Sequence, residues 1–471
     1  MKSVAIIGGG ITGLTAAYCL QRQGVPVTLY EAKGRTGGVI RTIHDGGFMA
    51  ECGPNTALET SPKISTLIRD LDLEPSRIYS DPRAHHRYLV RNGKLQALPT
   101  SPLAFLRSPL FSASAKWRLL AEPFLGRAAA EAEESVGEFV VRRLGREFLD
   151  YAIDPLVGGI YAGDPARLSV RHAFPKLHAL EQKYGSLILG QIRGSRERKR
   201  RAEVSKQNAR QFSFTNGLQS LTDRLTTELG ENVLVNSSIA EVSQTDFGWR
   251  IFARRAGEIL EQTHSAVLFA GTAPALAGLT LHSHRKIELS PLQQICYAPV
   301  ASVVLGFRRE DVRHPLDGFG ALIPALEQCN ILGTIFSSSL FPNRAPDGHV
   351  LLTSYLGGLR QPEFATRSES DLIALTLRDL RHLLGVNGTP RFQQTFVFER
   401  AIPQYEVGYG RFKQIMNDVE RDAPGFFIAG NFRNGISVGD CVSAGFDVAQ
   451  RMEQFLVTAR HPAPQPLEAV A

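Results

Sequence analysis

The sequence predicts an α/β fold organised on a discontinuous dinucleotide-binding domain, and three observations predict it. Val4 to Ile7 is a run of small or β-branched apolar residues, the pattern of a strand buried in a parallel sheet. Gly8, Gly10 and Gly13 follow at G-x-G-x-x-G spacing, and an Ala/Leu-rich helical pattern runs from Leu14 to about Gln23, where Gly24 stops it. A second strand, Val25 to Tyr30, ends on Glu31, about 20 residues past the glycines. Strand, helix, strand and acid in register define a Rossmann-type domain.

Each part has a physical task. Gly8 permits the tight turn, Gly10 lets backbone approach a pyrophosphate, and Gly13 lets helix pack on strand. The anion is expected on the unpaired N–H groups of the helix N-terminus. Glu31 accepts from a ribose 2′-hydroxyl and, being anionic, argues against a 2′-phosphate. Directly after the acid comes G-R-x-G-G-x-x-R-T, comprising Gly34, Arg35, Gly37, Gly38, Arg41 and Thr42. A nicotinamide domain has no use for this second loop, whereas the longer body of FAD needs clasping. Gly37 and Gly38 allow close backbone approach there, and Arg35 and Arg41 offer guanidinium forks to phosphates.

The chain has 471 residues, room for roughly three domains at about 150 each, and its 43% hydrophobic content supplies full cores. Cys19, Cys52, Cys296, Cys329 and Cys441 are odd in number, scattered and without C-x-x-C spacing. That excludes a disulfide framework, offers no zinc pattern and points to a reducing compartment, so no metal is expected. No apolar run reaches the roughly 18 residues of a membrane span; the nearest, Ala266 to Leu281, is broken by Thr272, Pro274 and Thr280. The first strand starts at residue 4, which leaves no room for a cleavable signal, so an intracellular protein is expected. A net charge of +7 suits a nucleic acid, an anionic membrane or an acidic substrate; with no nucleic-acid motif, the latter two lead.

Along the chain, GGFMAECGPNT reads as a strand closing on a turn at Gly53 and Pro54, followed by a helix from Pro62 to Leu71. HHRYLVRNGKLQALP is a hairpin signal, with Asn92 and Gly93 between alternating runs. Residues 101 to 203 turn helical. Leu103, Phe105, Leu106, Leu110, Phe111, Trp117, Leu119, Leu120 and Phe124 there alternate with Arg107, Lys116 and Arg118, which suits either a core or a membrane interface. The run Arg193 to Arg201 reads as a solvated loop with attraction for anionic lipid as the sharper reading. A helix follows Asn216 and Gly217, and strands at Val233 to Val242, Trp249 to Ala253 and Ala266 to Ala270 return the chain to the dinucleotide sheet. Residues 276 to about 405 are strand-rich with one helix near Asp371 to Leu384. A final strand, a polar glycine-rich loop and a helix starting near Asp440 come next, and the proline-bearing tail from His461 is expected to be disordered. The positive end of that last helix would favour the anionic reduced form of a flavin.

The second loop resembles that of the FAD-containing amine oxidase, phytoene desaturase and protoporphyrinogen oxidase superfamily. Over nearly the whole chain the motifs GGGITG, GRTGGVIRT, ECGPN, HRYLVRNGK, GIYAGDPARLSVRHAFPKL, the GFG of Gly318 to Gly320, IPQY and AGNFRNGISVGDC resemble the protoporphyrinogen oxidase family. The resemblance implies an FAD domain in three pieces (1–80, 204–275 and 416–457), a mixed-sheet substrate domain in two (81–100 and 276–415), a helical membrane-associating domain (101–203) and a tail (458–471). It implies six-electron oxidation of a porphyrinogen in three two-electron steps through flavin N5 to O2, with peroxide as by-product. It implies cofactor contacts at Gly8, Gly10, Gly13, Glu31, Arg35, Gly38, Arg41, Ile239, Gly430, Val438 and Asp440. For the substrate it implies Arg87 on a propionate, Phe319 and Leu322 on a pyrrole ring, and the Gly159 carbonyl on a pyrrole N–H. No catalytic residue is assigned, and Asp164 and Ser169 are expected to form a turn and a helix cap. Expected partners are the porphyrinogen, O2 and a membrane surface at the inner face of the cell membrane, with a second copy of the chain and ferrochelatase as candidate protein partners and no nucleic acid.

Protoporphyrinogen and coproporphyrinogen III remain alternative substrates, the run HRYLVRNGKLQALP favouring the former. A generic amine oxidase or carotenoid desaturase is a further alternative; an amine oxidase would show an aromatic cage near the flavin that GNFRNGISVGD does not provide, and a flavin-binding membrane scaffold would bind FAD without turnover.

Overall fold

The elements that position the sites are, in chain order, strand β1 (Val4–Ile7), helix α1 (Ile11–Arg22), β2 (Val27–Tyr30), β3 (His86–Arg91), α2 (Asp154–Tyr161), β4 (Gly318–Leu322) and α3 (Val438–Thr458). The computed structural model describes residues 2–127, 133–200 and 209–458. They fall into two compact units, one built from the chain up to Gly38, Leu221–Gln294 and the chain from Phe412, the other from Val39–Ser220 and Ile295–Arg411. The units divide the chain elsewhere than its compositional blocks do: the first boundary follows Gly38, and the described helices between Pro102 and Arg200 belong to the second unit.

The first unit contains a five-stranded parallel sheet in the order Val233–Leu234, β2, β1, Ala266–Phe269, Phe426–Ile428. β1 lies at its centre, flanked on both sides, and Val4, Ala5 and Ile6 are wholly buried, which is why this strand is apolar without alternation. β2 lies on one side of β1 and Ala266–Phe269 on the other, so the strand order reverses at β1, where α/β sheets bind ligands beyond the strands' carboxyl ends. α1 and α3 pack at Gly445, where a Cβ would stand 2.7 Å from Thr15 Cβ. Local readings shift by a few residues. α1 begins at Ile11 because Gly10 is its N-cap, β2 begins at Val27 after Pro26, and α3 begins at Val438.

The segment expected as one strand from Val233 to Val242 breaks at Asn236, whose φ is 54°. Only Val233–Leu234 joins the parallel sheet; Ser237–Thr245 enters a separate four-stranded sheet with Gly248–Arg255, Glu258–His264 and Thr280–His282. Trp249 to Ala253 therefore does not return to the dinucleotide sheet. Its alternating burial gives it a one-sided sheet of its own.

The second unit is organised on a seven-stranded mixed sheet in the order Phe392–Pro403, Tyr297–Arg308, His349–Gly357, Ile331–Ile335, β4, β3, Lys94–Ala97. Every neighbouring pair is antiparallel except β4 with β3. Helix Glu369–Leu384, capped by Ser368 and ended by Gly385 in the left-handed region, covers one face with Leu372, Leu380 and Leu383 packed on Val303, Leu305 and Phe307. The expected hairpin forms, with Asn92 and Gly93 at φ 53° and 69°, as a tight turn between twisted strands requires. The basic run is helix rather than loop: Leu187–Arg200 is helical throughout, as Arg, Lys and Glu propensities allow, while Arg201 and the tail from His461 lie outside the described residues.

Candidate functional site

The dinucleotide cradle is made of backbone. Gly8, at φ 113°, donates to Tyr30 O (2.8 Å), and a Cβ on it would fall 2.8 Å from the Ala270 carbonyl carbon. A Cβ on Gly13 would lie 2.0 Å from Gly8 O, so α1 starts as close to β1 as atoms permit. Gly10 is the opposite case: nothing stands within 4 Å of where its Cβ would be. α1 has no side-chain cap and no acid in its first turn, so its leading N–H groups open onto that space and suit an anion. Glu31 accepts from Gly9 N–H (2.7 Å, Oε2) and Lys33 N–H (2.8 Å, Oε1), which fixes the carboxylate and leaves each oxygen a lone pair for a ribose hydroxyl. These residues fit an FAD adenosine and pyrophosphate.

The second loop folds back on the first. Gly37 N–H donates to Gly9 O (2.8 Å), and Gly38, at φ 59°, lies against the Gly10 Cα. Arg35 donates to Thr36 O (2.8 Å) and Gly38 O (2.6 Å), so its fork shapes the loop itself, while Arg41 is exposed. Ile239 is half-buried at an irregularity in its strand, two residues past Ser237, whose N–H donates to Glu31 O (2.8 Å). Gly430, at φ 135°, follows the edge strand; a Cβ on it would be 3.5 Å from Gly271 O. Val438 opens α3. Asp440 N–H donates to Ser437 Oγ (3.1 Å) and Asp440 Oδ2 accepts from Ser437 N–H (3.3 Å), a reciprocal cap that places the acid inside the first turn.

Sequence reading missed the group that holds this last loop. Glu420 accepts from Arg433 (2.6 Å), Arg451 (2.7 Å) and Ile428 N–H (2.8 Å), so Arg433 serves the fold rather than a phosphate. Burial raises the Glu420 carboxyl, but the Arg433 bond and charge, the Ile428 N–H and Arg451 outweigh it and hold it below the usual range.

In the second unit, four expected substrate residues come together. β3 and β4 pair with Gly318 opposite His86 and Gly320 opposite Arg87, which leaves Phe319 as the extra residue of a bulge. Gly320, at φ 152°, allows it, since a Cβ there would lie 2.2 Å from Thr334 O. Arg87 is exposed, its guanidinium carbon 6.0 Å from the Phe319 ring centre. Tyr88 packs against the core under helix Glu369–Leu384 and donates to Asp317 Oδ1 (2.6 Å); burial first, and that bond second, push its phenol well above its usual pKa. On the same strand as Phe319, Leu322 packs on Gly159 of α2, where a Cβ would stand 2.5 Å from Leu322 Cδ2.

Other polar residues of the same motifs are engaged by the fold. Arg91 donates to Glu147 (2.8 Å) and lies over Tyr151 (4.2 Å). Asp164 forms its expected turn by accepting from Ala166 N–H (2.8 Å), but Ser169 at the N-cap position makes no cap bond and donates to Glu133 instead (3.0 Å). Among the described residues no group of three or more His, Cys, Asp or Glu is placed to hold a metal.

A parallel sheet whose strand order reverses beside an open glycine-lined helix N-terminus, a fixed ribose acid and a second clasping loop define the class: an FAD-binding oxidoreductase. Residues 11–453 match the family described as flavin containing amine oxidoreductase. The chain is 35% identical to protoporphyrinogen oxidase 2, chloroplastic/mitochondrial, of Arabidopsis thaliana over 97% of its length and 94% of the relative's. It is 29% identical to coproporphyrinogen III oxidase of Bacillus subtilis, over 94% and 96%. A solved structure from Exiguobacterium, described as a candidate protoporphyrinogen oxidase, shares the fold with a TM-score of 0.81 at 24% identity, covering 96% of this chain and 99% of that one. The chain belongs to the flavin containing amine oxidoreductase family.

Proposed function

We propose that the chain is an FAD-dependent oxidase of a porphyrinogen in haem biosynthesis, with protoporphyrinogen IX as substrate and O2 as electron acceptor. The observation that carries the substrate is the convergence of Arg87, Phe319, Leu322 and Gly159, from three distant parts of the sequence, on one stretch of structure. The relatives named for porphyrinogen oxidation match nearly end to end, which supports the same reading. Bound FAD supplies hydride acceptance and the return of electrons to O2. The chain's own residues bind and orient. Arg87 takes a carboxylate bidentately and fixes which way round the macrocycle lies. Phe319 and Leu322 cover a pyrrole face, and the Gly159 carbonyl accepts a pyrrole N–H. Holding a macrocycle C–H at roughly 3–3.5 Å from its acceptor is then the catalytic contribution, with no dedicated base.

Coproporphyrinogen III is the second reading, favoured by the Bacillus relative. Its extra propionates call for extra cations, yet Arg91 is spent on Glu147 and Tyr151, which favours protoporphyrinogen. The test is to supply each porphyrinogen to the purified flavoprotein in air and measure porphyrin fluorescence and peroxide. About three peroxides per porphyrin, with protoporphyrinogen faster, is expected. Binding of FAD with no turnover of either substrate overturns the reading in favour of a scaffold.

The enzyme is further proposed to dock peripherally on the inner face of the cell membrane. The basic-aromatic block divides in two. Leu110 and Phe111 are buried, Phe111 stacking on Phe148 at 4.4 Å, while Leu103, Leu106, Trp117, Leu120 and Phe124 are exposed, Phe124 at 88%. Apolar side chains interleaved with Arg107, Lys116 and Arg118 suit an anionic interface. No described helix is long and apolar enough to cross a membrane. Co-sedimentation with anionic vesicles, lost in Trp117→Glu and Phe124→Glu, is expected; equal sedimentation of the variants would contradict it. O2 as acceptor, self-association and hand-over to ferrochelatase belong to the same proposal.

A further inference from the structure

α2 carries Gly159 against Leu322 of β4, and one loop holds α2 at both ends. Gly357 and Gly358, at φ 91° and 69°, turn the chain at the end of strand His349–Gly357. A Cβ on Gly358 would stand 2.4 Å from Ala162 O, and Leu359 N–H donates to that same carbonyl (2.7 Å). Next comes Arg360. Its Nη1 donates to Ile323 O (3.0 Å), the residue after Leu322, and its Nη2 to Asp154 Oδ2 (3.0 Å), the first residue of α2. The same carboxylate oxygen accepts from Ala325 N–H (2.7 Å). Both side chains are mostly buried, 17% and 16% exposed. A π-helical turn, Leu149–Ile153, precedes Asp154, an irregularity frequent beside functional sites.

We propose that the Arg360–Asp154 pair is a specificity-determining positioning device: it sets the spacing between Gly159 and Leu322, and thereby which porphyrinogen the face accepts. The inference rests on the porphyrinogen reading of that face. The guanidinium reaches the β4 end and the α2 start from two nitrogens of one rigid plane, a fixed spacing that the flexible ammonium of lysine does not impose. Gly159 and Leu322 are already in contact, so a small displacement of either element shifts the Gly159 carbonyl relative to the Leu322 side chain, and with them the surface offered to the macrocycle, rather than being absorbed by slack. Neither residue is required to touch substrate.

The test uses the holoenzyme with Arg360→Lys, Arg360→Met and Asp154→Asn, each assayed for FAD content, melting temperature, kcat and KM on protoporphyrinogen IX and coproporphyrinogen III. FAD content and kcat are expected to hold within about twofold, with KM for the preferred substrate rising about tenfold, the scale of one lost charge-assisted bond. The ratio of kcat/KM between the two porphyrinogens is expected to shift by a similar factor. Asp154→Asn, which keeps an acceptor for Ala325 N–H, should lie between wild type and Arg360→Met. If Arg360→Met does not fold, the Lys and Asn variants decide. A lowered melting temperature with an unchanged substrate ratio overturns the proposal and leaves a purely structural pair. Wild-type enzyme that oxidises neither porphyrinogen overturns the functional reading itself; wild-type turnover with unshifted variants overturns only the positioning role.

Discussion

The two units build their candidate sites by different means. The first forms its cradle from backbone, with Gly8, Gly10 and Gly13 at the junction of β1 and α1 and Glu31 tied to Gly9. The second presents the side chains of Arg87, Phe319 and Leu322, with the backbone of Gly159 packed against Leu322. A backbone cradle suits what every FAD has in common, and at Gly8 and Gly13 it has no room for an added carbon. A side-chain face can change size and charge by substitution while the sheet beneath persists. Family members with different substrates are the expected consequence.

The largest effect that would sharpen this contrast is at Gly13. Gly13→Val puts atoms where Gly8 O already stands, an overpacking cost of about 3 kcal/mol or more, so colourless, poorly folded protein is expected. Yellow protein with a normal melting temperature would show that the cradle is not backbone-limited.

Next is a pH effect confined to the first unit. His264 accepts or donates with Tyr30 (3.1 Å) and Ser3 (3.2 Å), and burial lowers its pKa from 6.5 to about 4. A lowered histidine stabilises the fold above its unfolded pKa, and that stability drains away as pH falls from about 6.5 toward 4, about 3 kcal/mol in all. Melting and FAD release measured across that window should steepen in wild type and flatten in His264→Gln; equal slopes would remove His264 as the cause.

A smaller effect is expected at Phe319. Phe319→Ala should raise KM by about threefold to tenfold, as for a lost aromatic contact, with little loss of melting temperature. A large melting loss at normal KM would return this ring to the core of the second unit.

How legible each region was follows from the same contrast. The glycine fingerprint, Glu31 and the Asn92–Gly93 turn are local: spacing along the chain is spacing in space, so sequence alone placed them. The break at Asn236 was not legible, because a left-handed asparagine inside an apolar run looks like strand until a second sheet competes for the residues after it. Arg360 was invisible for a different reason. One arginine after two glycines carries no periodicity, and its meaning lies in Ile323 O and Asp154, neither near it in sequence. The motif positions Arg87, Phe319, Leu322 and Gly159 came from resemblance, not from pattern, and only the bulge at Phe319 explains why the triplet reads Gly-Phe-Gly.

The most direct test of two separately encoded sites serving one oxidation is a crossed measurement of FAD affinity and porphyrinogen KM in Glu31→Ala and Arg87→Ala. Glu31→Ala should weaken FAD by about 1.5–3 kcal/mol, roughly tenfold to a hundredfold, and leave KM unchanged once FAD is saturating. Arg87→Ala should keep wild-type FAD affinity and lose kcat/KM by a similar factor, with Arg87→Lys recovering only part because the charge returns without the fork. If either variant shifts both quantities together, or Arg87→Ala turns over porphyrinogen with unaltered KM and kcat, the separation of cofactor cradle from substrate face is contradicted.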